Sequence, residues 1–169
     1  LFGYDISATS YVVVDLNLEG AVLGLVVSAA SLGALAGSIW IFQVADQIGR
    51  RAELRYAARF YIVGALMEVL TGLMPSYELF VCTLMLGRII YGIGIACAMH
   101  GGPTFIAEMV PTEVRGVFVA LQEASVVTGI LLGYVMGHTF EKVALGWMYS
   151  YGCSLFISCV MLCLSYKIP

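Results

Sequence analysis

Charged residues are scarce in this chain of 169 residues: they make up 11% of it, against about 25% in an average soluble domain. Hydrophobic residues account for 61% of the chain, and the mean hydropathy is +0.96. A chain of this length cannot hide so much apolar surface around one soluble core. The composition therefore excludes an ordinary water-soluble domain and predicts an integral membrane protein.

The sequence also lacks the residue patterns of several other functional classes. Its net charge is −3, and its eight Lys or Arg form no basic patch on a polar face, which excludes nucleic acid as a partner. The five cysteines lie in apolar runs without a C-x-x-C pair or histidines at metal-ligand spacing, so we expect neither a metal nor a cofactor. No Ser-His pair or pair of aspartates occupies suitably placed segments, so we do not expect an enzyme.

Long uncharged stretches define the predicted helices. A bilayer core of about 30 Å needs about 20 apolar residues of helix. Five stretches are long enough, whereas Leu1 to Val14 would reach only about 21 Å, so we expect a fragment whose first helix lacks its beginning. The predicted fold is all-α, a single transmembrane domain over residues 1–169 with spans at about 1–14 (partial), 20–45, 56–76, 78–107, 116–140 and 144–166.

The cations are distributed unevenly between the loops of this predicted bundle. Lys and Arg accumulate in cytoplasmic loops, and here nearly all of them follow the second, fourth or sixth span, as Arg50, Arg51, Arg55, Arg59, Arg115 and Lys167. The opposite loops contain only Lys142. We therefore expect the loops after spans two, four and six to face the cytosol.

Small and aromatic residues indicate how the helices pack. Small residues recur every four positions in the second and fifth spans, as Ala29, Gly33, Gly37, Gly129, Gly133 and Gly137. Such stripes let helix backbones approach closely in lipid, although they also suit surfaces that slide during a conformational change.

Aromatic rings near the span ends are expected to anchor the bundle at the membrane interface. They are Trp40, Tyr77, Trp147, Tyr149 and Tyr151.

His100 stands directly before a Gly-Gly-Pro sequence at residues 101–103. This sequence can end or bend the fourth helix near the cytosolic surface. We expect His100 to be a hydrogen-bonded interface residue rather than a metal ligand.

Four charged residues, Asp5, Glu68, Arg88 and Glu123, fall inside the predicted spans and away from the ends of the long ones. Each needs a reason, because a charge at the bilayer centre costs at least about 2.5–3.5 kcal/mol. Arg88 keeps its proton and must find an anion or water. Asp5 is an attractive partner, because a guanidinium favours its ionised form and dry apolar surroundings favour its protonated form. Movement between the two environments would load and release a proton. The alternative is a permanent pair of Arg88 with Asp5 or Glu123 that only holds helices together.

The other two intramembrane carboxyls are less defined by sequence. Glu123 lies at a depth where it can hydrogen-bond a polyol or exchange a proton. Glu68 is expected to face the bundle interior beside Arg88, and no neighbouring pattern assigns it a role.

Four short motifs occur at the helix boundaries in a consistent order. A-D-Q-I-G-R-R after the second span resembles the D-x-x-G-R-R signature of the major facilitator superfamily, and E-M-V-P-T-E-V-R-G after the fourth resembles the E-x-x-P-x-x-x-R-G signature of its sugar porters. F-G-Y-D and G-R-I-I-Y-G-I-G resemble the first and fourth helices of that family. The chain thus resembles the N-terminal six-helix half of a twelve-helix transporter. A-M-H-G-G-P-T-F-I-A-E is most similar to plastidic and vacuolar glucose or xylose proton-symporter-like members of plants.

The resemblance implies roles for individual residues. Asp5 and Arg88 would couple proton to sugar, and Phe2 would touch the sugar. The sugar-binding glutamine of the fifth helix falls on Glu123, a departure that keeps an acceptor and adds an ionisable group. A cytosolic charge network that closes the inner gate would consist of Asp46, Gly49, Arg50, Arg51, Glu108 and Arg115.

These observations lead to one principal expectation and its alternatives. The chain is expected to belong to a multi-pass protein that transports a monosaccharide, a hexose or pentose, with a proton as coupling ion and by alternating access. Its partners would be a sugar, the lipid bilayer, and a second half-transporter or a second copy. The sequence leaves three membranes open as alternatives: the plastid envelope, the vacuolar membrane and the plasma membrane. The alternative is a truncated product that does not transport, or an interaction partner of a full-length sugar porter.

Overall fold

The computed structural model describes residues 1–16, 19–141, 143 and 145–167, and these residues form six α-helices. A single 3-10 turn, Thr71–Leu73, follows the third helix. Five helices are long and apolar enough to cross a membrane, and the first is shorter, as predicted. The helices are α1 (Phe2–Asp15), α2 (Gly20–Ile48), α3 (Arg50–Leu70), α4 (Tyr77–Met109), α5 (Arg115–Phe140) and α6 (Gly146–Ser165).

Both ends of α3 lie six residues before the predicted boundaries, since the helix ends at Leu70 and the span was predicted to end at residue 76. The span was expected to start near residue 56, but the helix starts at Arg50. Gly49 alone connects it to α2, with φ 78°, a backbone conformation that glycine adopts at little cost. The basic residues expected in a loop therefore form the first turns of a helix. Lys142 and residue 144, where the sixth span was predicted to begin, lie outside the described residues.

The fourth helix does not end at its Gly-Gly-Pro sequence. It continues through Pro103 to Met109, although proline lacks the backbone N–H that would continue the hydrogen-bond ladder. Next to this proline, the hydroxyl of Thr104 donates to the carbonyl oxygen of His100, one turn earlier on the same helix, at 2.7 Å. Of the two expected outcomes, an end or a bend, the helix end does not occur, and the helix runs two residues beyond the predicted span, which ended at residue 107.

The fourth helix lies at the centre of the bundle. It packs most extensively against α2 and α3, while α1 packs on α5, and α3 also packs on α6. The small-residue stripes lie at these crossings, because Gly33 meets the backbone of Ile89 on α4 and Gly133 meets Tyr4 and Ser7 on α1. The prediction that the stripes allow close helix packing is confirmed.

Two buried apolar clusters fill the interior. One consists of Ile41, Ala45, Ala57, Tyr61, Ala65, Tyr91, Ile95 and Cys97, and the other of Val12, Val26, Leu84, Trp147 and Tyr151. Along α4, Arg88 lies between Leu84 of one cluster and Tyr91 of the other. The outer faces carry large exposed hydrophobic side chains, including Leu32, Leu35, Ile39, Val127, Leu131 and Leu132. Such a surface suits lipid rather than water.

Gly33→Ala is expected to destabilise the bundle, because the added Cβ would collide with the carbonyl oxygen of Ile89 and separate α2 from α4. Overpacking of this kind costs about 1–3 kcal/mol. Gly24→Ala on the same helix is the matched control, since no atom lies within 4 Å of the Cβ that this alanine would add. Thermal unfolding in detergent, followed by circular dichroism, should separate the two variants. Equal melting temperatures would contradict this account of the crossing.

Candidate functional site

A buried arginine holds three helices together. Arg88 on α4 is only 3% exposed. Its Nη2 donates to Asp5 Oδ2 on α1 at 3.2 Å, and its Nη1 donates to the hydroxyls of Thr9 on α1 and Tyr151 on α6, the latter at 3.4 Å. The structure therefore brings Asp5 and Arg88 into contact and surrounds the guanidinium with two hydroxyl groups.

A second carboxyl faces the same guanidinium from α3. Glu68 is fully buried, and its Oε1 lies 3.9 Å from Arg88 Nη1. The expectation that Glu68 faces the interior beside Arg88 is confirmed. Gly87 makes this approach possible, since a Cβ there would lie 3.1 Å from Glu68 Cγ. Four helices thus converge on one cation and two carboxyls.

The ion pair forms part of the wall of a cavity of about 530 Å³ between α1, α2 and α4. This volume falls within the range of small-molecule sites, roughly 300–1,000 Å³. The wall is mostly apolar, and its polar groups are those of Asp5, Thr9, Ser10, Ser31 and Arg88. Phe2 also lines it. The arrangement can hold a small polar molecule against an aromatic ring and a charged pair.

The fifth helix presents a different polar residue to the interior than expected. Glu123 is exposed and is not among the residues that line the described cavities. Its neighbour Gln122 lines a cavity of about 370 Å³ together with Phe2 and Ser125. The Oε1 atom of Gln122 is buried and has no hydrogen-bond partner among the described residues. An amide in an apolar span was the signal that could have drawn attention to Gln122.

A cluster of charges joins α2, α3 and α4 at one end of the bundle. Arg50 Nε donates to Glu108 Oε1 at 2.9 Å, and Arg50 Nη2 donates to Asp46 Oδ1 at 3.3 Å. Arg50 Nη1 also lies 4.0 Å from the buried Glu53 Oε2. Three members of the predicted gate network, Asp46, Arg50 and Glu108, are therefore in contact, and Gly49 forms the turn beside them.

The remaining predicted members do not join this cluster. Arg51 is exposed, and within the described part of the chain it forms no ion pair. Arg115 donates to the carbonyl oxygen of Val110 at 3.4 Å and likewise has no ion pair with a described residue. The motif identified these two positions, but the structure gives them backbone or solvent contacts instead.

His100 contacts a carboxyl that the sequence did not single out. Its Nδ1 lies 2.6 Å from Glu53 Oε1, and Glu53 is fully buried. The prediction that His100 is hydrogen-bonded is confirmed. Among the described residues, no group of three or more His, Cys, Asp or Glu could hold a metal ion.

Two aromatic residues predicted as interface anchors are instead interior residues. Trp147 and Tyr151 are 4% and 1% exposed, and the Tyr151 hydroxyl contacts Arg88. Their position near the end of an apolar run suggested the interface. Arg88 comes 63 residues before Tyr151 in the chain, so no local sequence pattern could have linked these two residues. Thr9, by contrast, follows Asp5 by one helical turn and could have been found from that spacing.

The whole chain matches a known family. The model described as "Sugar (and other) transporter" matches residues 2–169. "D-xylose-proton symporter-like 3, chloroplastic" of Arabidopsis thaliana is 44% identical over 163 residues, which cover 90% of this chain and 28% of that protein. The "D-xylose transporter" of Levilactobacillus brevis is 36% identical over 156 residues, covering 90% of this chain and 33% of that protein. The chain thus spans about a third of the length of these relatives.

Solved structures match the fold over nearly the whole chain. A D-xylose-proton symporter structure superposes with a TM-score of 0.89 at 26% identity, covering 99% of this chain and 45% of that one. A partially occluded inward-open structure of the xylose transporter XylE from E. coli gives a TM-score of 0.90 at 25% identity, with the same coverage.

Replacement of Arg50 should destabilise the chain more than replacement of its neighbour. Arg50→Gln removes the only guanidinium within 4.0 Å of Glu53 and Glu108 among the described residues, and leaves a buried carboxyl without that counter-charge. Arg51→Gln is the matched control, because it alters an exposed arginine on the same helix turn. Melting temperatures in detergent at neutral pH should be clearly lower for Arg50→Gln only. Equal effects would show that the cluster contributes no stability.

Proposed function

Because the chain belongs to the sugar transporter family, we propose that it is the N-terminal half of a proton-coupled monosaccharide transporter of the major facilitator superfamily. It is an integral, multi-pass membrane protein with an all-α fold. The relatives named above are described as a D-xylose transporter and as D-xylose-proton symporter-like, and the chain matches only about a third of their length. The observation that carries the proposal is the buried Asp5–Arg88 pair in the wall of a cavity of sugar size.

Proton coupling would act through the charge of Asp5. When ionised, the carboxylate accepts from Arg88 and ties α1 to α4. Protonation removes the negative charge and weakens this bond, so the two helices become free to change their relative position. A sugar that binds one arrangement better would then shift the equilibrium towards it. Proton and sugar would cross together, because both bias the same pair of helices.

The sugar would contact one wall of the cavity in this chain. Phe2 supplies an aromatic face, and the hydroxyls of Ser10 and Ser31 supply hydrogen-bonding groups. Glu123 is proposed to bind the sugar from the exposed face of α5, and Gln122 from the neighbouring cavity. The opposite wall would come from a second half.

The charge cluster around Arg50 is proposed to form the inner gate. Arg50 ties α3 to Glu108 at the end of α4 and to Asp46 at the end of α2. Arg51 and Arg115, which have no ion pair within the described residues, are available to pair with a second half. Such pairs would form when the cytosolic end closes and break when it opens.

Asp5→Asn tests the coupling role in a longer transporter that contains this chain. Asparagine keeps the shape but cannot be ionised, so a pH gradient should no longer drive sugar accumulation. Exchange of labelled for unlabelled sugar should persist, since it needs no net proton movement. Uptake of radiolabelled xylose and glucose into proteoliposomes, with and without a pH gradient, measures the gradient-driven accumulation and the exchange.

Asp15→Asn is the matched control for this experiment. It makes the same chemical change on the same helix at an exposed position, and gradient-driven accumulation should match that of the unmodified protein. Uphill accumulation of sugar by the Asp5→Asn variant would contradict the coupling role and would leave Asp5–Arg88 as a permanent structural pair.

The 169 residues alone should not accumulate sugar in the same assay. Under the proposed function the opposite wall of the cavity belongs to a second half, so this chain alone would not enclose a substrate. Empty vesicles and vesicles with folded chain should therefore give equal uptake. Gradient-dependent uptake by the folded chain would instead mean that two copies complete the cavity.

A further inference from the structure

Glu68 is a buried carboxyl to which the proposed transport mechanism gives no role. It lies on α3, is 0% exposed, and neither of its oxygens has a hydrogen-bond partner among the described residues. An ionised carboxylate in that position would have lost its water without a replacement, which is among the most costly arrangements in a protein. A neutral, protonated carboxyl costs far less there.

The charges around Glu68 do not balance if both carboxyls are ionised. Arg88 on α4 contributes one positive charge, and Asp5 on α1 and Glu68 on α3 would contribute two negative charges. The other titratable groups that face Glu68 are the hydroxyls of Tyr91 on α4 and Tyr151 on α6. One proton on one of the two carboxyls makes the group neutral, as a site inside a membrane requires.

The hydrogen bonds indicate which carboxyl holds that proton in this conformation. Arg88 Nη2 donates to Asp5 at 3.2 Å, whereas Glu68 Oε1 lies 3.9 Å from Nη1, beyond a normal hydrogen bond. Tyr91 and Tyr151 give Glu68 no hydrogen bond, because Tyr91 is bonded to Ser154 at 3.1 Å and Tyr151 accepts from Arg88. Asp5 is thus the ionised partner and Glu68 the protonated one.

We propose that Glu68 is a second proton-binding carboxyl, which shares one proton with Asp5 while Arg88 pairs with whichever of the two is ionised. When Asp5 binds a proton from solution, its O–H bond forms as the O–H bond of Glu68 breaks, and the Glu68 proton leaves to solution. The site then still holds one proton, and one proton has moved through it. Nη1 then has to move by less than about 1 Å to hydrogen-bond Glu68. The guanidinium therefore keeps a counter-ion in both states. The part played by Asp5 protonation rests on the proposed function, but the proton on Glu68 does not.

Infrared spectroscopy of the 169-residue chain in lipid nanodiscs tests this directly, since a protonated carboxyl has a C=O stretching band that a carboxylate lacks. At neutral pH the unmodified chain should show the band of a buried protonated carboxyl. The band should disappear in Glu68→Gln. It should also disappear in Asp5→Asn, because Glu68 is then the only carboxyl among the described residues that is left to neutralise Arg88.

Glu53→Gln is the matched control. Glu53 is an equally buried glutamate on the same helix, but it contacts His100 and Arg50 rather than Arg88. Its replacement should leave the Glu68 band unchanged. Carboxyl-¹³C glutamate in the unmodified chain supplies a readout that needs no variant, because the band should shift with that label and not with labelled aspartate.

Three results would overturn the proposal. The first is the absence of the band from the unmodified chain, and the second is its persistence in Glu68→Gln. The third is its persistence in Asp5→Asn, because Glu68 would then be protonated whether or not Asp5 is charged. None of these results depends on sugar transport. A chain that fails to transport in any assay could still give the expected spectra, so failure of the proposed function can be distinguished from failure of this inference.

Discussion

The guanidinium of Arg88 has to be neutralised inside a membrane bundle, and the arrangement of four helices follows from that requirement. An arginine cannot discard its proton, and at 3% exposure the side chain of Arg88 is buried. Asp5 and Thr9 on α1, Glu68 on α3 and Tyr151 on α6 therefore all face α4. Removal of any one of them alters the charge or hydrogen-bond balance of the whole group.

Close helix packing is what makes this convergence possible. Gly87, next to Arg88, leaves room for the side chain of Glu68, and Gly33 and Gly92 let α2 and α4 touch backbone to backbone. In lipid, apolar burial alone does not drive helices together, so packing and polar contacts must do it. The glycine crossings and the buried charges are thus complementary: the first bring the helices close, and the second give them a defined register.

The two polar groups of the bundle lie at different depths and suit different tasks. The Asp5–Arg88–Glu68 group lies between two apolar clusters, where a change of one proton has a large electrostatic effect. The Arg50 cluster lies at the end of the bundle, with Asp46 and Glu108 exposed, where ion pairs can exchange partners at low cost. Under the proposed function, the buried pair would respond to a proton, and the exposed ion pairs would form and break as the cytosolic end closes and opens.

The sequence by itself determined the membrane class, the five full spans, the short first helix and the pairing candidates Asp5 and Arg88. These properties depend on composition, on the length of uncharged runs and on motifs at helix boundaries, all of which are local. It did not determine that α3 begins at Arg50, because the ion-pair partners Asp46 and Glu108 of that residue lie on other helices. Nor could it predict the contacts of Tyr151 with Arg88 and of Glu53 with His100, or the burial of Gln122 rather than Glu123. Those depend on how six helices rotate about their axes, and only tertiary packing fixes that rotation.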